Sequence, residues 1–299
     1  MAAPASARCF DLGRRPRVVL LAPGNKADVA AETPRVADFL RQHVDLLAVD
    51  LEFAADLAGL TPDFVAVMGG DGSILRAAHQ MGTRQVPVLG INLGKLGFLA
   101  DLSLEELPEA LPRILRGDCT LVEHMMLDCQ VRRGDQVVAQ KLGLNETAIW
   151  AGSPFGIVDV DLYIDSIWAT TYSCDGLIVC TPVGSTAHSL SAGGPIVRKD
   201  LEAFVISPIN PHTLTNRPVV DSADRAYELA VKQPLPGTAV VVDGHVLCTL
   251  GADERVRVER SQSRFKLIEA PGHNYYRTLR DKLGWGGRLK LREPRSGQG

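Results

Sequence analysis

The 299-residue chain has no apolar run approaching the roughly 20 residues that span a bilayer. It also lacks a dominant charge: 32 Lys+Arg against 35 Asp+Glu leave a formal net charge of −3. That balance gives no general attraction to nucleic acid or anionic lipid, so neither a nucleic-acid nor a membrane partner is expected. The six cysteines (Cys9, Cys119, Cys129, Cys174, Cys180 and Cys248) form no C-x-x-C pair, which removes zinc ribbons and thioredoxin-like motifs. A chain this long and this dilute in Cys reads as reduced, and the expected location is the cytoplasm. Residues 1–16 lack the apolar stretch of a secretory signal, and Asp11 argues against an organellar presequence; a disordered leader is expected. No Gly-Lys-Ser/Thr follows the glycine-rich loop, so there is no Walker A motif, and no G-x-S-x-G elbow marks a serine hydrolase. His43, His79, His124, His212 and His273 show no metal-ligand spacing and read as surface or core histidines.

What is present is an ordinary globular composition, 45% apolar and 22% charged. A chain of about 300 residues buries around three-quarters of its unfolded surface, enough for a core without staples. Over the first ~120 residues, strand-like runs (Arg17–Ala22, Phe64–Met68, Val86–Ile91) alternate with helical spacing (Val29–Val44, Ile74–Met81). Ser103 and Glu106 offer a capping box for a helix through Leu107, Leu111 and Leu115 that ends at Gly117. This rhythm predicts an α/β domain with a doubly wound, mostly parallel sheet. From about residue 121 short β-branched or alternating runs recur, with turns at Gly134-Asp135 and Asp243-Gly244, and a last helix covers Tyr275–Leu283. The second region is therefore expected to be β-rich. The expected division is a leader at 1–16, an α/β domain at 17–122 plus 275–299, and a β-rich domain at 123–274.

Three segments carry candidate chemistry. Gly69-Gly70-Asp71-Gly72-Ser73 closes a buried strand and opens a helix, a place where glycines let backbone N–H groups approach a phosphate. Asp71 is out of place in a pure phosphate loop because it repels the anion; it fits if it meets a hydroxyl or a phosphate-bound metal. The same tetrapeptide also reads as a tight turn with Asp as helix cap. Gly90, Gly94 and Gly97 depart from G-x-G-x-x-G, so that loop reads as close backbone packing. Asn145-Glu146 reads either as a turn or as a pair that bonds a ribose or hydrated Mg²⁺. Asp175 begins a strand that runs into Thr181-Pro182-Val183-Gly184-Ser185-Thr186-Ala187-His188-Ser189-Leu190-Ser191, whose hydroxyls suit nucleotide hydroxyls and phosphates or local capping.

Together GGDGS (69–73), GINLGKLGFLAD (90–101), NE (145–146), DGLIVCTPVGSTAHSLSAGGPI (175–196), ISPINPHTLTNRPVV (206–220) and YYRTLRDKLGW (275–285) resemble the NAD kinase family over nearly the whole chain. The GGDG loop alone is shared with lipid and sugar kinases; the serine-rich element is far more specific. The resemblance implies transfer of the ATP γ-phosphoryl group to the 2′-hydroxyl of the adenosine ribose of NAD, with a divalent metal ion, Mg²⁺ by expectation. It implies a homo-oligomer, dimer or tetramer, and a C-terminal segment that rejoins the first domain. Asp71 matches the proton acceptor. Gly72, Arg76, Asn145, Glu146, Asp175, the run Thr186, Ala187, His188, Ser189, Leu190 and Ser191, and His245 match positions that contact NAD. Gly69, Gly70, Gly72 and Ser73 form the phosphate loop, and no dedicated protein ligands hold the metal. Ser73, Gly156, Val183, His188 and His245 depart from the common family pattern. A GGDG-loop lipid or sugar kinase and a non-catalytic dinucleotide sensor are the alternatives.

Overall fold

Apolar strands without polar alternation need cover on both faces, and the N-terminal half provides it. In the computed structural model, which describes residues 13–94, 97–100, 102–152, 156–213, 215–273 and 275–284, the order is β1 (Arg17–Leu21), α1 (Ala27–His43), β2 (Asp45–Asp50), α2 (Leu57–Leu60), β3 (Phe64–Met68), α3 (Asp71–Met81), β4 (Val88–Asn92), β5 (Leu102–Ser103) and α4 (Leu107–Leu115). Cys9 and the rest of the expected leader up to residue 12, the stretch from Trp285 onward, and Lys95, Leu96, Asp101 and Leu214 of the quoted motifs lie outside the described residues. The strands lie side by side as β2-β1-β3-β4-β5, all parallel. Val18, Leu20, Phe64, Ala66 and Leu89 point to α1 and α4 on one face. Val19, Leu21, Val65, Val67 and Val88 point to α2 and α3 on the other. This alternation makes the sheet doubly wound, as its apolar strands predict. The expected box forms its two reciprocal bonds, Ser103 N to Glu106 Oε2 (2.9 Å) and Glu106 N to Ser103 Oγ (3.3 Å), but they close the turn that precedes α4, whose own N-cap, Glu106, has no side-chain cap.

The second half is β-rich: β6 (Thr120–Arg133), β7 (Gln136–Gly143), β8 (Glu146–Trp150), β9 (Val158–Ile164), β10 (Ile167–Cys174), β11 (Gly176–Cys180), a 3₁₀ turn at Gly184–Thr186, a helical turn α5 (His188–Ser191), β12 (Ala203–Ile209), β13 (Val219–Ser222), β14 (Tyr227–Val231), β15 (Ala239–Val242), β16 (His245–Thr249) and β17 (Glu254–Glu269), then α6 (Tyr275–Leu283). Strands β13-β12-β11-β8-β15-β16 form one antiparallel sheet. Strand β17 pairs antiparallel with β6 and β14, and its far end pairs parallel with β4 at Leu267–Val88. The parallel sheet therefore continues into the β-rich half as one 11-stranded sheet. The boundary expected at 122/123 falls inside β6. Between the antiparallel part of this sheet and the six-stranded sheet lies a sandwich core that includes Leu127, Ile149, Val160, Leu177, Phe204, Tyr227, Val240 and Val258.

Phe265 on β17 sits at the junction, fully buried, in one cluster with Ile74, Leu144 and Val183. Phe265→Ala should lower stability by about 3–5 kcal/mol in urea denaturation, because neighbours from both halves cannot collapse into the cavity. A loss under about 1 kcal/mol would show that the junction relaxes freely.

Candidate active site

The GGDGS loop is shaped by what its glycines allow. Gly69 has φ +120°, and a Cβ there would lie 2.4 Å from Ser73 Oγ. Ser73 is thus packed beneath Gly69, 4% exposed, rather than facing outward as a phosphate-loop hydroxyl would. At Gly70 and Gly72 a Cβ would meet nothing within 4 Å, so the loop surface is open. Helix α3 starts at Asp71 with Gly70 as N-cap and no side-chain cap; Ser73 N donates to Gly70 O (2.9 Å), which leaves the N–H groups of Asp71 and Gly72 for an anion.

Asp71 does not cap its own helix. Its Oδ1 accepts the N–H groups of Leu99 (2.8 Å) and Ala100 (3.2 Å), and its Oδ2 accepts that of Phe98 (2.9 Å). The loop is closed on itself by Gly97 N to Ala100 O (2.8 Å). A Cβ at Gly97 would lie 2.3 Å from Asp71 Oδ1, and one at Gly90 would lie 2.7 Å from Ile74 Cδ1 and 3.0 Å from Ala100 Cα. These two glycines serve close backbone packing, as their irregular spacing suggests. A carboxylate has about four lone-pair sites. Among the described residues three are filled, and the remaining one is on Oδ2.

Asn145 and Glu146 open β8, and a third carboxylate organises them. Asp243, at φ +48° in the β15–β16 turn, accepts the N–H groups of Leu144 (2.7 Å), Asn145 (2.8 Å) and Glu146 (3.0 Å). His79, near the end of α3, places Nε2 3.0 Å from Asp243 Oδ2, off the line of a hydrogen bond. Helix α3 therefore reaches the loop of Asn145 and Glu146 at one end and carries Asp71 at the other, eight residues or about 12 Å away. Asn145 Oδ1 and Glu146 Oε2 are buried without a hydrogen-bond partner. Burial, and then the charge of Asp243, push the Glu146 carboxyl up to about 8. Unpartnered buried polar atoms are uncommon, and these two lie side by side at the start of β8.

The serine-rich element docks on both loops. Thr181 N donates to Asn145 O (2.8 Å) and Thr181 Oγ1 to Leu144 O (2.6 Å). A Cβ at Gly184 would lie 2.2 Å from Asn145 O. Val183 is buried in the same apolar cluster as Ile74, Leu99 and Ala100, so the TPVGST loop and the loop that holds Asp71 share one core. Inside the element, Ser185 Oγ donates to Pro182 O (2.6 Å), Thr186 Oγ1 to Val183 O (3.0 Å), and Ser189 Oγ shares a hydrogen bond with Ser207 Oγ (2.9 Å). Ser185 and Ser189 are fully buried, so these hydroxyls hold the segment together rather than facing a ligand. Ala187 and Leu190 are half-buried, and Ser191 is exposed. His188 stacks on Trp150, ring centroids 5.1 Å apart.

Other expected residues lie elsewhere. Asp175 precedes β11 at the end opposite Thr181, about 20 Å along the strand, where Asn210 Nδ2 (3.0 Å) and His212 Nε2 (3.4 Å) meet its carboxylate. Arg76 donates to Glu52 O (3.0 Å) with its guanidinium 4.2 Å above the Phe53 ring. Exposed His245 turns Nδ1 to Asp243 O (3.0 Å). Asp243, His79 and the amides of Phe98–Ala100 were not among the expected site residues. Asp243-Gly244 signals only a turn, and the one hint for His79 is its place on the helix that begins at Asp71. Among the described residues no three His, Cys, Asp or Glu side chains converge as a metal-binding group.

The chain matches two family models, the ATP-NAD kinase N-terminal domain over residues 24–119 and the ATP-NAD kinase C-terminal domain over 144–270. It is 54% identical over 281 residues to an NAD kinase of Rhodopirellula baltica, covering 94% of this chain and 90% of that one. It is 41% identical to an NAD kinase of Geobacter metallireducens over 85% and 89% of the two chains. Among solved structures, an Archaeoglobus fulgidus NAD kinase in complex with ATP superposes with a TM-score of 0.71 at 27% identity, over 90% of this chain and 97% of that one. Yeast NADH kinase complexed with NADH gives 0.84 at 20% identity over 94% and 91%, a likeness of fold.

The raised Glu146 carboxyl has a thermodynamic consequence. Between the unfolded value near 4.5 and the folded value near 8, the folded state holds a proton that the unfolded state releases. The contribution of Glu146 to stability is therefore full below about pH 4.5 and is lost as pH rises toward 8. In thermal melts without ligand, Glu146→Gln should flatten the decline seen across that window; an unchanged pH dependence would remove Glu146 as its source.

Proposed function

The chain belongs to the ATP-NAD kinase family, and from that membership and the geometry above we propose that it transfers the γ-phosphoryl group of ATP to the 2′-hydroxyl of the adenosine ribose of NAD, giving NADP and ADP. The observation that carries the reading is Asp71: a carboxylate pinned by three amides, with one open lone pair on Oδ2, beside an uncapped helix N-terminus. A ribose hydroxyl does not ionise near neutral pH, so a positioned base must orient it and take its proton. Asp71 Oδ2 takes that proton, the 2′-oxygen bonds to the γ-phosphorus, and the bond from that phosphorus to the β–γ bridging oxygen breaks as ADP leaves. The transition state is loose and puts little charge on the nucleophile, so holding the hydroxyl in line matters more than base strength.

We assign the Asp71 and Gly72 N–H groups at the start of α3 and the open surface of Gly70 and Gly72 to phosphate oxygens of the donor. Asn145 Oδ1 and the protonated Glu146 carboxyl take polar groups of NAD, and Thr186 to Ser191, without the interior hydroxyl of Ser189, line the rest of the dinucleotide. Arg76 holds the Glu52–Phe53 loop against α3. Mg²⁺ fits as part of the ATP substrate, carried by phosphate oxygens and water, since the Asp243 carboxylate is engaged by amides and the unpartnered oxygens beside it belong to the neutral Asn145 amide and the protonated Glu146 carboxyl. Bound there it neutralises phosphate charge. We expect a homo-oligomer, to which the exposed Trp168 and Val246 on β10 and β16 lend apolar surface. We place the protein in the cytoplasm, in keeping with its five described cysteines all being free thiols. No described helix is long and apolar enough to cross a membrane.

Purified protein given Mg-ATP and NAD should form NADP, scored with an NADP-specific dehydrogenase. Asp71→Asn should cut kcat by about 10²–10⁴-fold, the range of a general base. Near wild-type turnover in that variant would refute the role of Asp71.

A further inference from the structure

Lys199 follows the serine-rich element in the chain and reaches back to the loop that holds Asp71. Its Nζ donates to Phe98 O at 2.5 Å. That carbonyl belongs to the same peptide unit as the Leu99 N–H, which donates to Asp71 Oδ1 at 2.8 Å. The peptide is planar and conjugated, so a cation on the oxygen side draws electron density from nitrogen and strengthens the N–H as a donor. The path from ammonium to carboxylate contains one peptide unit and two hydrogen bonds.

Lys199 is itself well anchored. Two residues earlier, Val197 N donates to Ser185 Oγ (3.0 Å), and Tyr275 Oη donates to Val197 O (3.4 Å). The Tyr275 ring lies 5.8 Å from Lys199 Nζ, and Lys282 Nζ lies 5.2 Å from the centre of the Phe98 ring. The TPVGST loop, α6 and the Asp71 loop therefore converge on Phe98. His124, buried behind Lys199 and held down at about 3 by burial and then by the Lys199 charge, adds no second cation on that side.

We propose that Lys199 is a positioning residue for the phosphoryl transfer: by polarising and fixing the Phe98–Leu99 peptide, it holds the Asp71 carboxylate so that the Oδ2 lone pair faces the 2′-hydroxyl. The inference rests on the role given above to Asp71. Lys199 touches neither the reacting oxygen nor the phosphorus, so its effect belongs in kcat rather than in the KM for NAD.

The test compares Lys199→Met, Lys199→Gln and Lys199→Arg in the full chain. Wild-type NADP formation checks the underlying reading first; its absence would sink that reading and leave Lys199 to the second measurement. With wild type active, Lys199→Met should lose about tenfold in kcat with NAD KM within about twofold, and Lys199→Arg should recover most of the loss. Lys199→Gln keeps a donor without the charge and should fall between them. Equal turnover in all four proteins, or a loss in Lys199→Arg as deep as in Lys199→Met, overturns the proposal. The second measurement needs no turnover: with ¹⁵N-leucine labelling, the Leu99 amide proton should move upfield in Lys199→Met and stay in place in Lys199→Arg. An unmoved Leu99 resonance in Lys199→Met also overturns it.

Discussion

Three backbone N–H groups on one carboxylate organise the centre of this molecule. Asp71 is the first residue of α3, and its side chain reaches outward to Phe98, Leu99 and Ala100 instead of back to its own helix. Charge-assisted bonds of this kind are roughly twice as strong as neutral ones, and three of them fix both oxygens in place. The carboxylate gains an orientation, and the glycine-rich loop gains an anchor. Gly97 is required at this point because the loop passes too close to Asp71 for any Cβ.

The same device recurs a few residues away in space. Asp243 collects the amides of Leu144, Asn145 and Glu146, so one carboxylate again shapes a loop from below. The two carboxylate-held loops come from different halves of the chain, and two contacts tie them together. Val183 enters the apolar cluster of Ile74 and Leu99, and His79 approaches Asp243 from α3. The long pairing of β6 with β17, from Thr120–Glu269 to Arg133–Glu254 with a bulge between Arg260 and Arg264, gives both loops a common frame. The proposed chemistry needs such a frame, since a loose phosphoryl transfer gains most from geometry.

Much of this was legible because the signals are local. The buried strand Phe64–Met68, the glycines after it and the reciprocal Ser103–Glu106 bonds each declare themselves within a few residues, though those bonds close the turn before α4 rather than cap the helix itself. What could not be read depends on distant partners. Strand β2 (DLLAVD) is a half-buried sheet edge whose pattern carries no clean alternation. Strands β6 and β17 run far beyond their apolar centres at Leu127–Val131 and Arg255–Val258, because each extends on the hydrogen bonds of the other. The serine-rich segment showed that hydroxyls were abundant but not which way they face; Ser185 and Ser189 turn inward. Asp243 and the residues it binds are separated by about a hundred positions, which no local pattern connects.

The most direct test is a crystal structure with NAD bound. The account predicts the 2′-oxygen of the adenosine ribose about 2.6–3.2 Å from Asp71 Oδ2, with the amides of Phe98, Leu99 and Ala100 still on the carboxylate. A dinucleotide whose 2′-oxygen lies beyond reach of Asp71 while its other groups satisfy Asn145 and Glu146 would contradict it.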